Sequence, residues 1–278
     1  MRKVLLIDGD IVAYELSAST QRDYVLPEAD GAKVSTVDPE QAIQGMREKI
    51  DGWIEQTQAD HAIVCLSDDF SNFRKKLLPS YKGNRKGERP AILYDMKDAL
   101  ADHYEVARWA NIEADDVMGI LATEPQTAER RCIVSVDKDL ATVPGWLWNP
   151  AKDEKPHLIS QEAADAWFFT QVLTGDPTDG YSGCPGAGPK LAHEIVHGHT
   201  YLQRQERVIS KGKRTGEVEV KYAKAVDGDI SLWDRIVLTY EAKGMTREDA
   251  LVQARCAFIL RHGHYEDGRV TLWEPDGF

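Results

Sequence analysis

Val4-Leu5-Leu6-Ile7-Asp8-Gly9-Asp10, close to the amino end, is an apolar run that stops at an acid. A short unbroken apolar run bounded by a polar turn reads as a strand buried on both faces, and Ile11 to Leu16 then start a helix. The pattern recurs. Ala62-Ile63-Val64-Cys65-Leu66 runs into Asp68 and Asp69, and Glu105 to Trp109 precedes Glu113, Asp115 and Asp116. Cys132-Ile133-Val134-Ser135-Val136 ends in Asp137-Lys138-Asp139. Helical patterns lie between these runs. Asp38-Pro39-Glu40 supplies a cap and a proline at the first helical position, and Ile43, Met46, Ile50, Trp53 and Ile54 follow at helical spacing. A further helix is predicted from Ala91 to Tyr104. Strands alternating with helices predict an α/β fold with a mostly parallel central sheet flanked by helices. Ligands of such sheets bind at the carboxyl ends of the strands, where every one of these runs delivers acids.

The rest of the chain fills in around that sheet. Residues 17 to 37, polar and holding Pro27 and Gly31, read as loop. Trp146 to Trp148 and Leu158-Ile159 are short apolar pieces, and a helix from Gln161 carries Trp167, Phe168, Val172 and Leu173. It leads into Gly175-Asp176-Pro177-Thr178-Asp179-Gly180, then a glycine-rich hairpin, Gly183-Cys184-Pro185-Gly186-Ala187-Gly188-Pro189, opening into a helix through Val196. Glycines let a backbone approach a phosphate closely, and a helix amino end supplies aligned N–H donors. Residues 204 to 224 read as a basic loop or hairpin in which Val218, Val220 and Tyr222 alternate. Ile230 to Tyr240 and Thr246 to Arg261 read as helices, and Val270 to Trp273 as a closing strand. The composition changes most near Gly175. The expected division is therefore a sheet domain over 1–174, with a short basic arch at about 70–104, and a helical carboxyl-terminal part over 175–278.

Apolar residues at 42 % and charged residues at 29 % are ordinary for a soluble globular protein. The apolar run after Met1-Arg2-Lys3 is too short for a signal-peptide core or a membrane span, so a cytoplasmic protein is expected. Four cysteines without CxxC spacing suggest neither a zinc site nor a disulfide framework. The net charge of −12 argues at first against a nucleic-acid partner, but its distribution does not. Seven basic residues fall between Arg74 and Arg89, namely Arg74, Lys75, Lys76, Lys82, Arg85, Lys86 and Arg89, against Glu88 alone. Seven more, including Lys211, Lys213 and Arg214, fall between Arg204 and Lys224 against three acids.

Three carboxylates within four residues, Glu113, Asp115 and Asp116, repel one another. Either a hard divalent cation neutralises them, or they are the acidic first turn of a helix. Collected along the chain, Asp8, Asp69, Glu113, Asp115, Asp116, Asp137, Asp139, Asp176 and Asp179 make nine candidate metal carboxylates, most of the net charge. Such a set can hold two divalent ions, a known solution for phosphodiester hydrolysis. Lys82 and Arg85 are candidates to offset charge in the transition state, and Tyr81 to stack on a nucleobase. The plainer reading of Tyr81-Lys82-Gly83-Asn84-Arg85 is a solvated basic turn.

In order and spacing these motifs resemble the flap endonuclease (5′ nuclease) superfamily. The residues that carry the resemblance are Asp8-Gly9 after a strand, Phe73-Arg74 through Tyr81-Lys82-Gly83-Asn84-Arg85, Glu113-Ala114-Asp115-Asp116, Asp137-Lys138-Asp139, and Gly175-Asp176 to Asp179 with Gly183, Gly186 and Gly188. Within it, the chain is most similar to the short 5′-to-3′ exonucleases of tailed bacteriophages, especially those of T-seven-type podophages. The resemblance implies a sheet domain with a helical arch over the site and a helix-three-turn-helix that grips duplex backbone. It implies that Asp8, Asp69, Glu113, Asp115 and Asp116 serve one Mg2+, directly or through water, and that Asp137, Asp139, Asp176 and Asp179 serve another, with Mn2+ able to substitute. A potassium ion is implied at the hairpin backbone of Gly183, Gly186 and Gly188. Lys82 becomes the arch lysine, Arg85 its companion, and Tyr81 a neighbour of the scissile nucleotide. Arg74, Lys75, Lys76, Lys190, Lys211, Lys213, Arg214 and the hairpin glycines become the DNA contacts. The implied substrate is double-stranded DNA with 5′ ends, flaps or RNA primers, cut by a monomer working with replication proteins, in the host cytoplasm if the protein is phage-encoded.

The chain departs from the pattern in places. Either Asp68 or Asp69 fits the acid after the second strand, with Asp69 preferred, and Asp10 reads as a ligand or a turn residue. The short span from Arg85 to Glu113 leaves a small arch, which favours exonucleolytic removal from duplex ends over threading of long flaps. Two rivals remain. Asp8-Gly9-Asp10-Ile11-Val12 also satisfies the nucleophile motif of haloacid-dehalogenase-type phosphatases, and the same fold could serve a non-catalytic structure-specific DNA-binding protein.

Overall fold

A computed structural model of the chain describes residues 1–26, 32–85, 87–125 and 128–275. Pro27, Gly31 and Lys86, named above, lie outside the described residues. The elements in order are β1 (Arg2–Asp8), α1 (Gly9–Thr20), β2 (Arg22–Leu26), β3 (Ala32–Thr36), α2 (Pro39–Thr57), β4 (His61–Leu66), α3 (Arg74–Leu77) and α4 (Leu93–His103). Then come β5 (Glu105–Arg108), α5 (Ala114–Thr123), β6 (Glu129–Val134), a 3-10 helix (Lys138–Thr142), β7 (Gly145–Trp148), β8 (His157–Ile159) and α6 (Gln161–Thr174). The chain continues through α7 (Pro189–His197), β9 (Thr200–Val208), β10 (Val218–Val226), α8 (Leu232–Ala242), α9 (Arg247–Ala257), β11 (Tyr265–Glu266) and β12 (Arg269–Val270).

The chain divides into two compact units. One comprises Met1–Phe73, Lys86–Ala164 and Ile259–Thr271; the other comprises Arg74–Arg85, Asp165–Phe258 and the segment that begins at Leu272. The division between Ala164 and Asp165 lies ahead of the boundary expected before Gly175, and Arg74–Arg85 join the second unit rather than the sheet.

The first unit is built on a six-stranded sheet of order β5-β4-β1-β6-β7-β8. All its pairings are parallel except β7 with β8. Side chains alternate across a strand, and here both alternations are apolar. Leu5, Ile7, Val64, Leu66 and Val134 join a core with Val12 of α1, Met46 and Ile50 of α2, and Met96 and Leu100 of α4. Leu6, Cys65 and Ile133 are buried as well, and α5 packs on β1, β4 and β6. Burying each such aliphatic side chain stabilises the unit by about 2 kcal/mol before the entropy of ordering it is subtracted. The predicted start of α2 holds: the Asp38 carboxylate accepts from Gln41 N at 3.0 Å, one turn ahead of the apolar stripe.

Two expectations fail in this unit. Residues 17 to 37 are not loop throughout: α1 runs on to Thr20, with the hydroxyls of Ser17 and Thr20 bonded to carbonyls one turn back, and β2 pairs antiparallel with β3. Arg22, Asp23 and Tyr24 of β2 and Ser35 and Thr36 of β3 are exposed, so no buried alternation marked these strands. The strand expected over Val270 to Trp273 stops at Val270, because β12 finds a partner only in the two residues of β11.

In the second unit an aromatic cluster replaces the sheet. Phe168 lies 5.4 Å from Phe258 and 5.3 Å from Trp273, and Trp233 stands 5.1 Å from Trp273, all at edge-on angles that suit ring quadrupoles. α9 ends at Ala257 rather than continuing to Arg261, as Phe258 turns extended. From the same unit β9 and β10 project as a nine-residue antiparallel ribbon, with Leu202 buried near its base and Val208, Val218 and Tyr222 exposed farther out. No described helix is long and apolar enough to cross a membrane.

Candidate metal centre and substrate-binding elements

From β1 the chain builds the sheet one way through β4 and β5 and then crosses back to the other side of β1 with β6, so the sheet has its switch point between β1 and β6. Asp8 sits there. Its Oδ1 caps α1 by accepting from Ile11 N at 3.1 Å, and its Oδ2 accepts from Ser135 Oγ, beyond the end of β6, at 2.8 Å. Asp8 is only 3 % exposed and borders a cavity of about 210 Å3 whose walls include Trp53, Ser135 and Pro150. Burial, followed by the charges of Asp10 and Asp137, pushes its carboxyl up from 3.8 to about 7.

The three acids after β5 form the acidic start of a helix. Glu113 is the N-cap of α5, and Asp115 and Asp116 occupy its first turn. Asp116 is fully buried: Oδ2 accepts from Glu113 N at 3.1 Å and Oδ1 from Leu260 N at 3.0 Å. It holds the helix start in place through backbone donors. The buried Cys65 thiol is pushed up first by burial and then by Asp8, Asp10 and Asp115 in turn. Asp137 caps the 3-10 helix, its Oδ1 accepting from Asp139 N at 2.8 Å, and Asp139 Oδ1 lies 3.8 Å from Lys138 Nζ.

The acid after β4 is not open to a metal in this arrangement. Asp68 ties its own loop, accepting from Ser71 Oγ at 2.6 Å, Asn111 N at 2.7 Å and Phe70 N at 3.0 Å. Desolvation would raise its carboxyl, but these bonds outweigh it and hold Asp68 down at about 2. Asp69, the preferred ligand, is taken by two cations: Oδ1 pairs with Lys97 Nζ at 2.7 Å and Oδ2 with Arg108 Nη2 at 2.5 Å. Lys97 also pairs with Asp10 Oδ1 at 2.8 Å. Sequence reading missed Lys97, Arg108 and Ser135. Lys97 left a signal, since it falls with Leu93, Met96 and Leu100 on the stripe that buries α4.

In the second unit the basic motif is folded onto the aspartate loop. Lys82, in a left-handed conformation at φ +53°, donates its backbone N–H to Asp179 O at 2.7 Å. Asn84 Nδ2 reaches Pro177 O at 2.6 Å. The Asp179 carboxylate gathers three partners: Arg85 Nη2 at 2.6 Å, Tyr81 OH at 3.1 Å and Lys82 Nζ at 3.6 Å. Tyr81 is 3 % exposed, so its ring is not free to stack on a base as expected. Arg74 is likewise buried, donating to the carbonyls of Cys256 at 3.0 Å and Phe258 at 2.6 Å, and is a clamp rather than an accessible phosphate contact. Lys75, Lys76, Lys190, Lys211, Lys213 and Arg214 are exposed.

Asp176 caps its own turn, Oδ1 accepting from Thr178 N at 2.7 Å, and a bridge joins it to Tyr181. The hairpin closes on Gly175 and Gly183, at φ +67° and +64°; a Cβ on either would stand 2.3 Å from backbone of the facing segment. Only glycine fits there. Gly188 follows as the N-cap of α7, without a side-chain cap.

No three His, Cys, Asp or Glu side chains among the described residues are grouped closely enough to hold a metal as they stand. The chemistry of the donors nevertheless fits a hard divalent cation. Asp8, Asp10, Asp115 and Asp137 are carboxylates whose charges act on Asp8 or on the neighbouring Cys65, and an oxygen-binding cation would relieve that repulsion.

A family model described as the 5′-3′ exonuclease, N-terminal resolvase-like domain, matches residues 3–149. The exodeoxyribonuclease of Enterobacteria phage T3 is 32 % identical over 98 % of this chain and 93 % of its own length. The exonuclease of Escherichia phage T7 matches at the same identity and coverage. Among solved structures, the T5 D15 protein co-crystallized with metal ions aligns with a TM-score of 0.58 at 15 % identity, over 92 % of this chain and 91 % of that one, a likeness of fold alone. The phosphatase reading of Asp8-Gly9-Asp10 falls with these matches. A family model over residues 3–149, more than half of the chain, and phage relatives aligned along nearly the full sequence place this chain in the 5′-to-3′ exonuclease family.

Proposed function

We propose that the protein is a divalent-metal-dependent 5′-to-3′ exonuclease that hydrolyses phosphodiesters of duplex DNA, RNA primers included, from 5′ ends or flaps. The observation that carries this reading is the gathering of carboxylates around the β1/β6 switch point, where Asp8 feels both Asp10 and Asp137. Asp8, Glu113, Asp115, Asp137 and Asp139 are the first-unit carboxylates that would hold the ion or ions, Mg2+ in the cell with Mn2+ able to replace it. Two such ions, when bound, supply an activated water and stabilise the leaving oxygen of an in-line displacement.

The chain's own residues do the rest. Asp8 gives up its proton when an ion binds, and Ser135 Oγ keeps its carboxylate oriented. Asp116 keeps the start of α5, and with it Asp115, in place. In the second unit, Lys82 and Arg85 are the cations proposed to neutralise the scissile phosphate, exchanging Asp179 for it. Asp176 and Asp179 are proposed as the metal carboxylates of the second unit. The pair α6 and α7 with the loop between them is read as the helix-three-turn-helix, holding K+ at the carbonyls of Gly183, Gly186 and Gly188. Lys190 at the start of α7, Lys75 and Lys76 on α3, and Lys211, Lys213 and Arg214 at the tip of the β9–β10 ribbon would meet backbone phosphates. The protein is read as a monomer acting with replication proteins in the cytoplasm, that of a host if phage-encoded.

The deciding experiment is digestion of a 5′-labelled duplex with Mg2+, with EDTA, and with Asp115→Ala. Metal-dependent release of short 5′ products, lost in EDTA and in the variant while DNA binding persists, is the expected result. Intact duplex with the wild-type protein and Mg2+ would overturn the reading. Comparing product lengths on blunt and flapped substrates then tests the preference for duplex ends, which dominant flap cleavage would contradict.

A further inference from the structure

Leu93, Met96, Lys97 and Leu100 recur at the spacing that lines one face of α4, and that face is in the core of the first unit. Lys97 is 6 % exposed. An ammonium is costly to bury unless it is paired, and this one is paired twice: with Asp10 Oδ1 at 2.8 Å and Asp69 Oδ1 at 2.7 Å. The remaining oxygens are also engaged, Asp10 Oδ2 by Ser67 N at 3.2 Å and Asp69 Oδ2 by Arg108 Nη2 at 2.5 Å. Among the described residues, Asp10 Oδ1 has no partner other than this ammonium. Burial alone would lower the Lys97 pKa, yet the two carboxylates reverse that and raise it, so the side chain stays charged.

These carboxylates lie at the same strand ends as the candidate metal ligands. Asp10 acts on Asp8 and, with Asp8 and Asp115, on the Cys65 thiol. A divalent ion approaching Asp8 and Asp115 therefore meets an acidic centre that already contains a cation. We propose that Lys97 is a resident cation of this centre: it keeps Asp10 and Asp69 out of divalent coordination and, by neutralising part of the acidic charge, sets how tightly the ion binds. Lys97 is thus a positioning residue, acting on the ion through two carboxylates it holds. The inference rests on the metal-centre reading given above.

Its test is a Mn2+ titration followed by electron paramagnetic resonance of the free ion, without DNA, on the wild type, Lys97→Met and Asp10→Asn/Lys97→Met. Removing a positive charge within about 10 Å of a divalent ion tightens its binding on the order of tenfold. Lys97→Met is therefore expected to bind Mn2+ on the order of tenfold more tightly, and the double substitution, which removes one charge of each sign, to return to within about twofold of wild type. A merely structural lysine would not give this charge-compensated return. A Lys97→Met protein that binds no more tightly, or a double variant as tight as the single one, would overturn the inference. Should the single variant fail to fold, the double one decides, since replacing both members of a buried pair is tolerated far better than removing one. A loss of affinity in it beyond about tenfold would mean that Asp10 ligates the ion. Wild-type protein that binds no Mn2+ would sink the metal-centre reading and this inference together. Wild-type binding with unchanged Lys97→Met affinity would sink the inference alone.

Discussion

The Ser135 hydroxyl donates to Asp8 Oδ2 at 2.8 Å, so the acid that ends β1 is oriented by the residue that follows β6. That bond favours the ionised carboxylate, but burial and the charges of Asp10 and Asp137 oppose it more strongly and raise the Asp8 pKa from 3.8 to about 7. The folded protein thus holds this proton more tightly than the unfolded chain does. The stability it contributes is complete below the unfolded value and is lost as pH rises through the folded one. In EDTA, the melting temperature is expected to fall between about pH 5 and about pH 8, and Asp8→Asn to melt higher than wild type at about pH 8 by a few kcal/mol or less. Divalent metal should reverse the order. A wild-type melting temperature that rises over that range would refute the argument.

Asp115 and Asp116 are adjacent but carry different loads. Asp115→Ala is expected to cost no more than about 1 kcal/mol of stability, the worth of an acid in a first helical turn, while lowering turnover about a thousandfold or more. Asp116→Ala leaves two backbone donors, Glu113 N and Leu260 N, without their carboxylate and should cost about 2 to 4 kcal/mol in urea unfolding. If Asp115→Ala keeps near-normal turnover, the three acids are only a helix start.

Arg85 pairs with Asp179 at 2.6 Å, with over half of the arginine side chain exposed. Solvent screening leaves such a pair worth less than about 1 kcal/mol, so Arg85→Ala should melt nearly as wild type. Its kcat/KM on duplex DNA is nevertheless expected to fall about ten- to a hundredfold, because the guanidinium is assigned to the phosphate. An unchanged kcat/KM would assign Arg85 to the Asp179 pair alone.

Gly183 allows a direct test of the hairpin. At φ +64°, with backbone 2.3 Å from where a Cβ would stand, Gly183→Ala is expected to destabilise the second unit by about 3 kcal/mol or more. Two-phase thermal unfolding would show it, with the earlier phase moved. A melting profile that overlays wild type would mean the hairpin rearranges without strain.

What could be read from the chain depended on range. The sheet was legible because each apolar run and each acid after it is local, and the Asp38 cap with Pro39 marks a helix start within a few residues. The acids after these runs were legible for the same reason. Their partners were not: Lys97 meets Asp10 and Asp69 only after α4 has packed, and Arg108 and Ser135 come from other strands. Tyr81 and Arg74 were assigned to substrate because an aromatic and a guanidinium in a basic segment look alike whether exposed or buried. What buries them, the Asp179 turn and the carbonyls of Cys256 and Phe258, lies far along the sequence.

The β9–β10 ribbon has a consequence of its own. Among the described residues it is a two-stranded sheet; near its base the Leu202 N–H donates to Thr239 Oγ1 of α8, and farther out no third strand covers its edges beside the exposed Val208 and Val218. Such an edge is a template on which a second copy could add a strand. Arg204, Arg207, Lys221 and Lys224, with Glu206 and Glu219 among them, put a charge at five of the nine paired positions, and such charges disfavour the addition of a strand from a second copy.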